Sequence, residues 1–424
     1  MAYAEKRIST ARGSKGKVTW RARYKKPDGT WGSEPGFPTK KTAERWGEEQ
    51  EAATRAGRWV DPGKSACLLA DFVPVWMKAQ GDAPRGRTIM NRWERLETHV
   101  LPQWGNTPLN AFTWFEVESW ARVLGKTVAH STVKDVVGLL TRVLNGAVDA
   151  RHLTANPLAG RRLTGMPADP AAKAHASSGD GTVIAVPEEV LLLGRRLGPV
   201  VGLQVITDAW TGLRYEELVG LHRENMLRQR RQKHDGGFFE CPVIRIDKEV
   251  GALAEYYVRD EDGKRRCYRA FEPPKNEQSA RDVDLPPFLA GFWTDFLTWW
   301  PFEYVATTPK GALWWRSHWC KTLRPAADGR PARPKARGTA VKVAWEPIKP
   351  GLTAQALRKT HDSWQEELGV APVLAHEQMG HKYPGIKGVY RQPTPAMRKY
   401  RLEALQTLFE RAMANLGWET VWQS

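Results

Sequence analysis

Cysteine is scarce in this chain. Of 424 residues only four are Cys, at 67, 241, 267 and 320, and no two of them form a CxxC pair. That pattern offers neither a zinc ribbon nor a disulfide scaffold, and it suits a reducing compartment. Acid is in deficit as well: 47 Asp and Glu stand against 64 Lys and Arg, a formal charge of +17. Such an excess favours a polyanionic partner, nucleic acid first. Long apolar runs are also missing. The opening "MAYAEKRISTARGSKGKVTW" holds no apolar stretch of the signal-peptide kind. The most apolar segment, "VLLLGRRLGPVVGLQVI", is broken by Arg195 and Arg196, which sets it apart from a membrane span. No internal repeat is present. The expectation is a soluble, cytoplasmic chain with no membrane partner.

What the sequence does contain falls into three parts. Its length calls for two or three domains, and a hydrophobic share of 41% is enough to build their cores. Residues 1–65 open with a basic run in which "KVTWRARY" alternates. Val18, Trp20, Ala22 and Tyr24 share one face, while Lys17, Thr19, Arg21 and Arg23 share the other. After the turn "KPDGT", a strand through Trp31 and a shorter one near Phe37 are expected. A helix follows, capped at Thr39 or Thr42 and stopped at Gly57. A small basic sheet on one helix can lay its Lys and Arg face in a DNA groove.

Residues 66–165 repeat apolar positions at three and four, in "LLADFVPVWMKAQ", "RTIMNRWERLETHVL", "WFEVESWARVL" and "STVKDVVGLLTRVLNGAVDARHL". This predicts a four-helix module, with Ser131 as the cap of its last helix. Residues 166–182, rich in Ala, Gly, Ser and Pro, read as a linker. From 183 to 424 a helix opens at Pro187 with glutamates in its first turn. A β-rich middle with a hairpin at "DEDGK" follows, and helices return at "LAGFWTDFLTWW" and after Leu352. "LRPAADGRPARPKARGT" reads as an aperiodic basic loop able to follow a phosphate backbone.

Chemistry concentrates in this last part. "TGLRYEELVGL" puts Arg214 at a turn with Glu216 and Glu217 close behind. Taken alone, that is an ordinary first-turn ion pair of little worth. "LTAQALRKTHDSWQEEL" sets Gln355 and Arg358 three apart, beside a seam of Leu357, His361, Trp364 and Leu368; a histidine in such a seam is most often a core residue. "HEQMGH" approaches a zinc motif, but its histidines are five apart rather than four and cannot share one metal from one helical turn. Tyr390 falls nine residues after His381.

In their order, "TGLR" with Glu217 three residues on, "PPKNEQSARDVDLP", "LRKTH" and "MGH" with its later tyrosine resemble the tyrosine recombinases, the phage-integrase family. No one motif is specific; the ordered set is. The resemblance implies a multidomain fold: a small α+β arm-binding module, an all-α core-binding domain, and a mainly α catalytic domain with a small antiparallel β-sheet. It implies that Arg214 and Arg358 clamp a scissile phosphate, that Glu217 supports Arg214, and that Lys275 matches a lysine in a β-hairpin turn. Arg281 and Leu285 match the strand after that turn. His381 is then the histidine of the third box and Tyr390 the nucleophile; Tyr383 and Tyr400 miss the spacing. Gln355 departs from the pattern, because the family usually has histidine there, and an amide bonds a phosphate oxygen without transferring a proton.

A phenol with a pKa near 10 needs a cationic site to become a nucleophile. Paired guanidiniums suit the charge that develops on a phosphodiester's free oxygens. The implied reaction joins Tyr390 to a 3′-phosphate and conserves the bond energy, so neither metal nor cofactor is called for. Double-stranded DNA attachment sites are the implied partner, with a homotetramer as the working assembly. The resemblance leaves room for a host DNA-bending protein and an excision directionality factor. It also allows "YRLEALQTLFERAMANL" to pass between protomers, although the Leu402, Leu405, Leu408 spacing equally suits packing within one chain. A type IB topoisomerase or resolvase, and a non-catalytic regulator derived from an integrase, are the alternatives.

Overall fold

The computed structural model describes residues 1–8, 16–81, 85–167, 183–260, 263–334, 341–383 and 392–422. The chain divides into two compact units, Met1–Ser178 and Gly179–Ser424.

In the first unit, β1 (Tyr3–Ile8), β2 (Val18–Lys25) and β3 (Trp31–Phe37) form an antiparallel sheet in that order. Glu5 stands opposite Arg21, and Arg23 opposite Ser33. Helix α1 (Lys40–Arg55) covers one face. Thr39 caps it, its hydroxyl accepting the Thr42 N–H at 3.2 Å. Ala22 and Tyr24 are buried beneath α1, with Tyr24 edge-on to Trp46 at 5.4 Å. Two expectations are corrected. The basic run at the N-terminus yields a strand, β1, whose charges concealed it, and Trp31 and Phe37 belong to one strand rather than two.

The helical part comprises α2 (Leu69–Ala79), α3 (Gly86–Arg95), α4 (Trp114–Leu124) and α5 (His130–Asp149). Helix α3 runs on through a π-helical turn, Leu96–Val100. Leu69, Val73, Leu96, Val136, Leu140 and Leu144 are fully buried in their common core. Ser131 is not the cap of α5. That helix begins one residue earlier, and Ala129 at its N-cap position offers no side-chain bond.

The second unit is built around α6 (Pro187–Thr211), which kinks where Gly198 takes φ +75° ahead of Pro199. This is the apolar segment of the sequence, and it is long and apolar enough to cross a membrane, but most of that apolar window is buried inside the fold. Trp210 lies at the centre, ringed edge-on by Phe288, Trp364 and Phe409. Short α7 (Tyr215–Val219) follows. Then β4 (Arg228–His234), β5 (Gly237–Ile246) and β8 (Arg281–Asp284) form an antiparallel sheet, order β4-β5-β8. Inserted between β5 and β8 is a separate hairpin, β6 (Ala252–Arg259) with β7 (Arg265–Glu272), at the expected "DEDGK" turn. Strand β4, "RQRRQKH", was not foreseen, because an edge strand with so few apolar residues shows no alternation.

Helices α8 (Pro287–Trp299), α9 (Arg316–Asp328), α10 (Ala354–Glu367), α11 (Pro372–Met379) and α12 (Pro395–Asn415) complete the unit. The expected basic loop from Leu323 begins inside α9, where Leu323, Ala326 and Ala327 are buried. Beyond it, Arg330 bridges to Trp345 and Arg333 to Lys342. Leu402, Leu405 and Leu408 of α12 are buried within their own unit. The tail after α12 packs there too: Trp422 donates to the Gly194 carbonyl at 2.9 Å, and Arg195 stacks over Trp418 at 3.2 Å.

Candidate active site

The site begins where α6 stops. Gly212 takes the left-handed φ of +63°, and a Cβ there would meet the Met379 sulfur at 2.5 Å and the His361 ring at 2.7 Å. Glycine is required on both counts. The turn frees the Gly212 carbonyl and directs Arg214 to the head of α7. Glu217, buried at 2% exposure, accepts the Arg214 backbone N–H at 3.0 Å and its Nη1 at 2.6 Å. The same carboxylate accepts Arg281 Nη2 at 3.0 Å. Burial would raise the pKa of Glu217, but the Arg281 and Arg214 guanidiniums outweigh it and hold the carboxyl below its ordinary range. The pair first read as an ordinary surface contact is therefore a buried, shared one.

Arg358 arrives from α10. It is almost fully buried and donates to the carbonyls of Gly212 and Met379, and through Nη2 to His381 Nε2 at 3.0 Å. Burial first, then the neighbouring Arg214, brings its pKa down to about 10, which leaves it a cation at neutral pH. Because Nε2 of His381 accepts this bond, the imidazole is neutral. Burial, Arg358 and Arg214 all push its pKa below the ordinary value.

Both arginines thus converge on the turn that ends α11, since Arg214 Nη2 also donates to the Gly380 carbonyl at 3.3 Å. Gly380 is left-handed at φ +61°, and a Cβ there would press on Arg281 Nη1 at 2.9 Å. "MGH" is what such a turn needs: a glycine for the close approach, then the histidine. Arg214 and Arg358 each spend three of five side-chain N–H groups on these partners. Each keeps two without a partner among the described residues.

The remaining residues are placed less completely. Lys275 is exposed, and it lies not in a hairpin turn but in the connection from β7 to β8, because the β6–β7 hairpin occupies the place between β5 and β8. Gln355 is exposed in the first turn of α10, one turn before Arg358. Leu285 is buried core. Tyr390 lies outside the described residues. Of the phenols set aside by spacing, Tyr383 packs edge-on against His376 at 4.9 Å, and Tyr400 donates to the Leu368 carbonyl at 2.8 Å. His361 is the core residue expected: fully buried, its Nδ1–H donates to the Ala209 carbonyl at 3.1 Å. In the first unit, Thr19, Arg21 and Arg23 lie on the sheet face away from α1, Arg21 within 3.9 Å of Glu5, and Lys17 is exposed just before β2.

Three participants were not singled out from the sequence. Ser279 accepts from Arg214 Nη1 at 2.9 Å and donates to Asn276 at 2.6 Å, which ties the Lys275 connection to the arginine. Both lie within the quoted "PPKNEQSARDVDLP", yet nothing in their spacing announces the bond. Asp208, one turn before Gly212, is fully buried with neither carboxyl oxygen bonded among the described residues, and burial pushes its pKa well up. Asp284, at the end of β8, accepts from three arginines.

A solved structure of the Tn1549 transposon integrase, in complex with a circular intermediate DNA, superposes with a TM-score of 0.50 at 15% identity. It covers 80% of this chain and 99% of that one. The chain has the tyrosine-recombinase fold. The integrases of two mycobacteriophages are similar in sequence. That of phage L5 is 21% identical over 387 residues (88% of this chain, 90% of the relative), and that of phage D29 is 21% identical over 310 residues (70% and 73%). No family model matches the chain. Within the tyrosine-recombinase fold, the boxes read from the sequence meet in one place: Arg214 with Glu217, Arg358, and His381 at the α11 turn.

Proposed function

We propose that the chain is a site-specific DNA recombinase of the integrase kind, which cleaves and rejoins DNA through a covalent 3′-phosphotyrosine. One observation carries the reading. Two arginines, each held by buried partners and each with N–H groups to spare, converge on the turn that carries His381, one at the Gly380 carbonyl and the other at the imidazole itself. Such an arrangement is preorganised for the two free oxygens of a phosphodiester, and fixed donors cost little reorganisation as charge develops. The mycobacteriophage relatives are named integrases, which supports integration of a phage or mobile element as the biological use.

In this mechanism the Tyr390 phenol gives up its proton to water and its oxygen attacks phosphorus, while Arg214 and Arg358 hold the non-bridging oxygens. The bond to the 5′-oxygen breaks, and Lys275 gives that oxygen its proton. Gln355 serves as a neutral donor to the phosphate. Attack of a second strand's 5′-hydroxyl on the phosphotyrosine reverses the step and completes exchange without a nucleotide cofactor. The further parts of the proposal are arm-site binding by the face carrying Lys17, Thr19, Arg21 and Arg23, a homotetramer on two duplexes, and work in the cytoplasm on the nucleoid. A host bending protein and an excision factor would act on that assembly.

The test is direct. The DNA flanking the element supplies a repeated sequence, and a nicked duplex carrying it is incubated with the purified protein in chelator and without ATP. A denaturant-resistant protein–DNA adduct with a free 5′-hydroxyl is expected. Tight binding with no adduct would overturn the enzymatic reading and favour a regulator.

A further inference from the structure

Asp284 takes no part in holding the phosphate, yet among the described residues it is the acid that bonds three different arginines. Wholly buried at the end of β8, it accepts Arg230 Nε from β4 at 2.6 Å, Arg398 Nη1 from α12 at 3.0 Å and Arg401 Nη2 from α12 at 2.6 Å. Arg398 extends the cluster to α11, where Nη2 donates to both oxygens of Glu377 at 2.7 and 2.9 Å. Arg401 also reaches α11, at the Leu374 carbonyl, and Gln378 donates back to the Asp284 carbonyl, both at 3.4 Å.

Helix α11 ends at Met379 and α12 begins at Pro395, so the connection bearing His381 and Tyr390 has both ends tied to one carboxylate. That carboxylate sits three residues beyond Arg281, on the strand whose arginine shares Glu217 with Arg214.

Stability alone does not account for the cluster. Burying Asp284 with Arg398 and Arg401 carries a desolvation cost that usually cancels the attraction, and apolar side chains of similar size would hold the elements as well. A small apolar cluster already joins α12 to β5 through Leu402, Phe239, Cys241 and Val243. What a shared carboxylate adds is direction, because each of its bonds fixes a donor's place. We infer that Asp284 is a positioning residue for strand cleavage, holding α11 against β8 and the head of α12 so that the turn after α11 presents His381 to the phosphate. The inference rests on the recombinase reading above.

Asp284→Asn keeps the shape while removing the charge that three arginines share. Arg398→Met cuts the Glu377 link to α11 and leaves Arg230 and Arg401 in place, and it carries the test if the first variant does not fold. Full-length proteins are compared on the nicked duplex for equilibrium affinity and for single-turnover adduct formation. Unchanged affinity with adduct formation slowed about tenfold to a hundredfold is expected, as for a group displaced by an ångström. Faster amide hydrogen exchange in α11 and the first turns of α12 in the variants reads the anchoring without any chemistry. Wild-type rates in a folded Asp284→Asn protein would overturn the inference, as would parallel loss of binding, cleavage and cooperative unfolding. An inert wild type would instead sink the recombinase reading. The exchange comparison would then decide alone, faster exchange upholding the anchor and equal exchange overturning it.

Discussion

Glu217 shows how much one side chain carries. Its two oxygens balance Arg214 and Arg281 at 2% exposure, so removing the charge strands two cations in a site poor in water. Glu217→Gln is expected to lower unfolding stability by about 3–5 kcal/mol, the usual cost of breaking a buried pair from one side. Denaturant melts check it, and a loss below about 1 kcal/mol would place the pair with surface contacts. Lys275 and Gln355 are distinguished by cleavage kinetics. Lys275→Ala is expected to slow single-turnover cleavage by about a hundredfold or more, the cost of a lost proton donor. Gln355→His should change the rate only modestly, because the leaving oxygen already has its acid. A wild type that is inert while Gln355→His is active would reverse that assignment. Arg214, Glu217, Arg358 and His381 stood out in the sequence because their motifs occur in one order, which is distinctive although no single motif is. Ser279 did not, since its partner Arg214 lies 65 residues away and a single serine carries no pattern.

Elements were readable where apolar periodicity set them and obscured where charge did. Helices α2 to α5 of the first unit and the helices around Trp210 follow their apolar seams. Strands β1 and β4 hide in basic runs, and the start of the expected basic loop is helix because Leu323 and Ala326 find a core. The α10 seam also makes a prediction about acid. His361 is fully buried, and its pKa is pushed from an ordinary 6.5 to about 3, by burial first and then by Arg401. Its folded-state value lies below its unfolded one, so the unfolded chain takes up a proton that the fold refuses. Stability from this group is full above about pH 6.5 and declines as the pH falls toward 3. His361→Gln should therefore flatten the acid limb of the stability curve, read from urea midpoints at neutral and mildly acid pH. An unchanged limb would mean that His361 is protonated within the fold.

For the whole molecule, a formal charge of +17 is suited to neutralising many phosphates in the proposed DNA complex. Affinity for DNA should fall steeply as salt rises. The helical part has its own core, from Leu69 to Leu158, separate from the small sheet and α1. A chain beginning near Ser65 should still cleave crossover-site DNA while failing at integration, because only secondary-site binding is removed. A folded truncation that cannot cleave would contradict the assignment of the sheet to secondary sites.

Arg214, Arg358 and His381 are proposed to serve a nucleophile at Tyr390. The most direct measurement is the chemical identity of the residue joined to DNA. Adduct formed on the nicked duplex is digested with nuclease and trypsin, and the peptide bearing the nucleotide remnant is identified by mass spectrometry. The expected carrier is the peptide containing Tyr390, with no adduct formed by Tyr390→Phe although that protein still binds the duplex. A remnant on Tyr383 or Tyr400, or an adduct that survives in Tyr390→Phe, would contradict it.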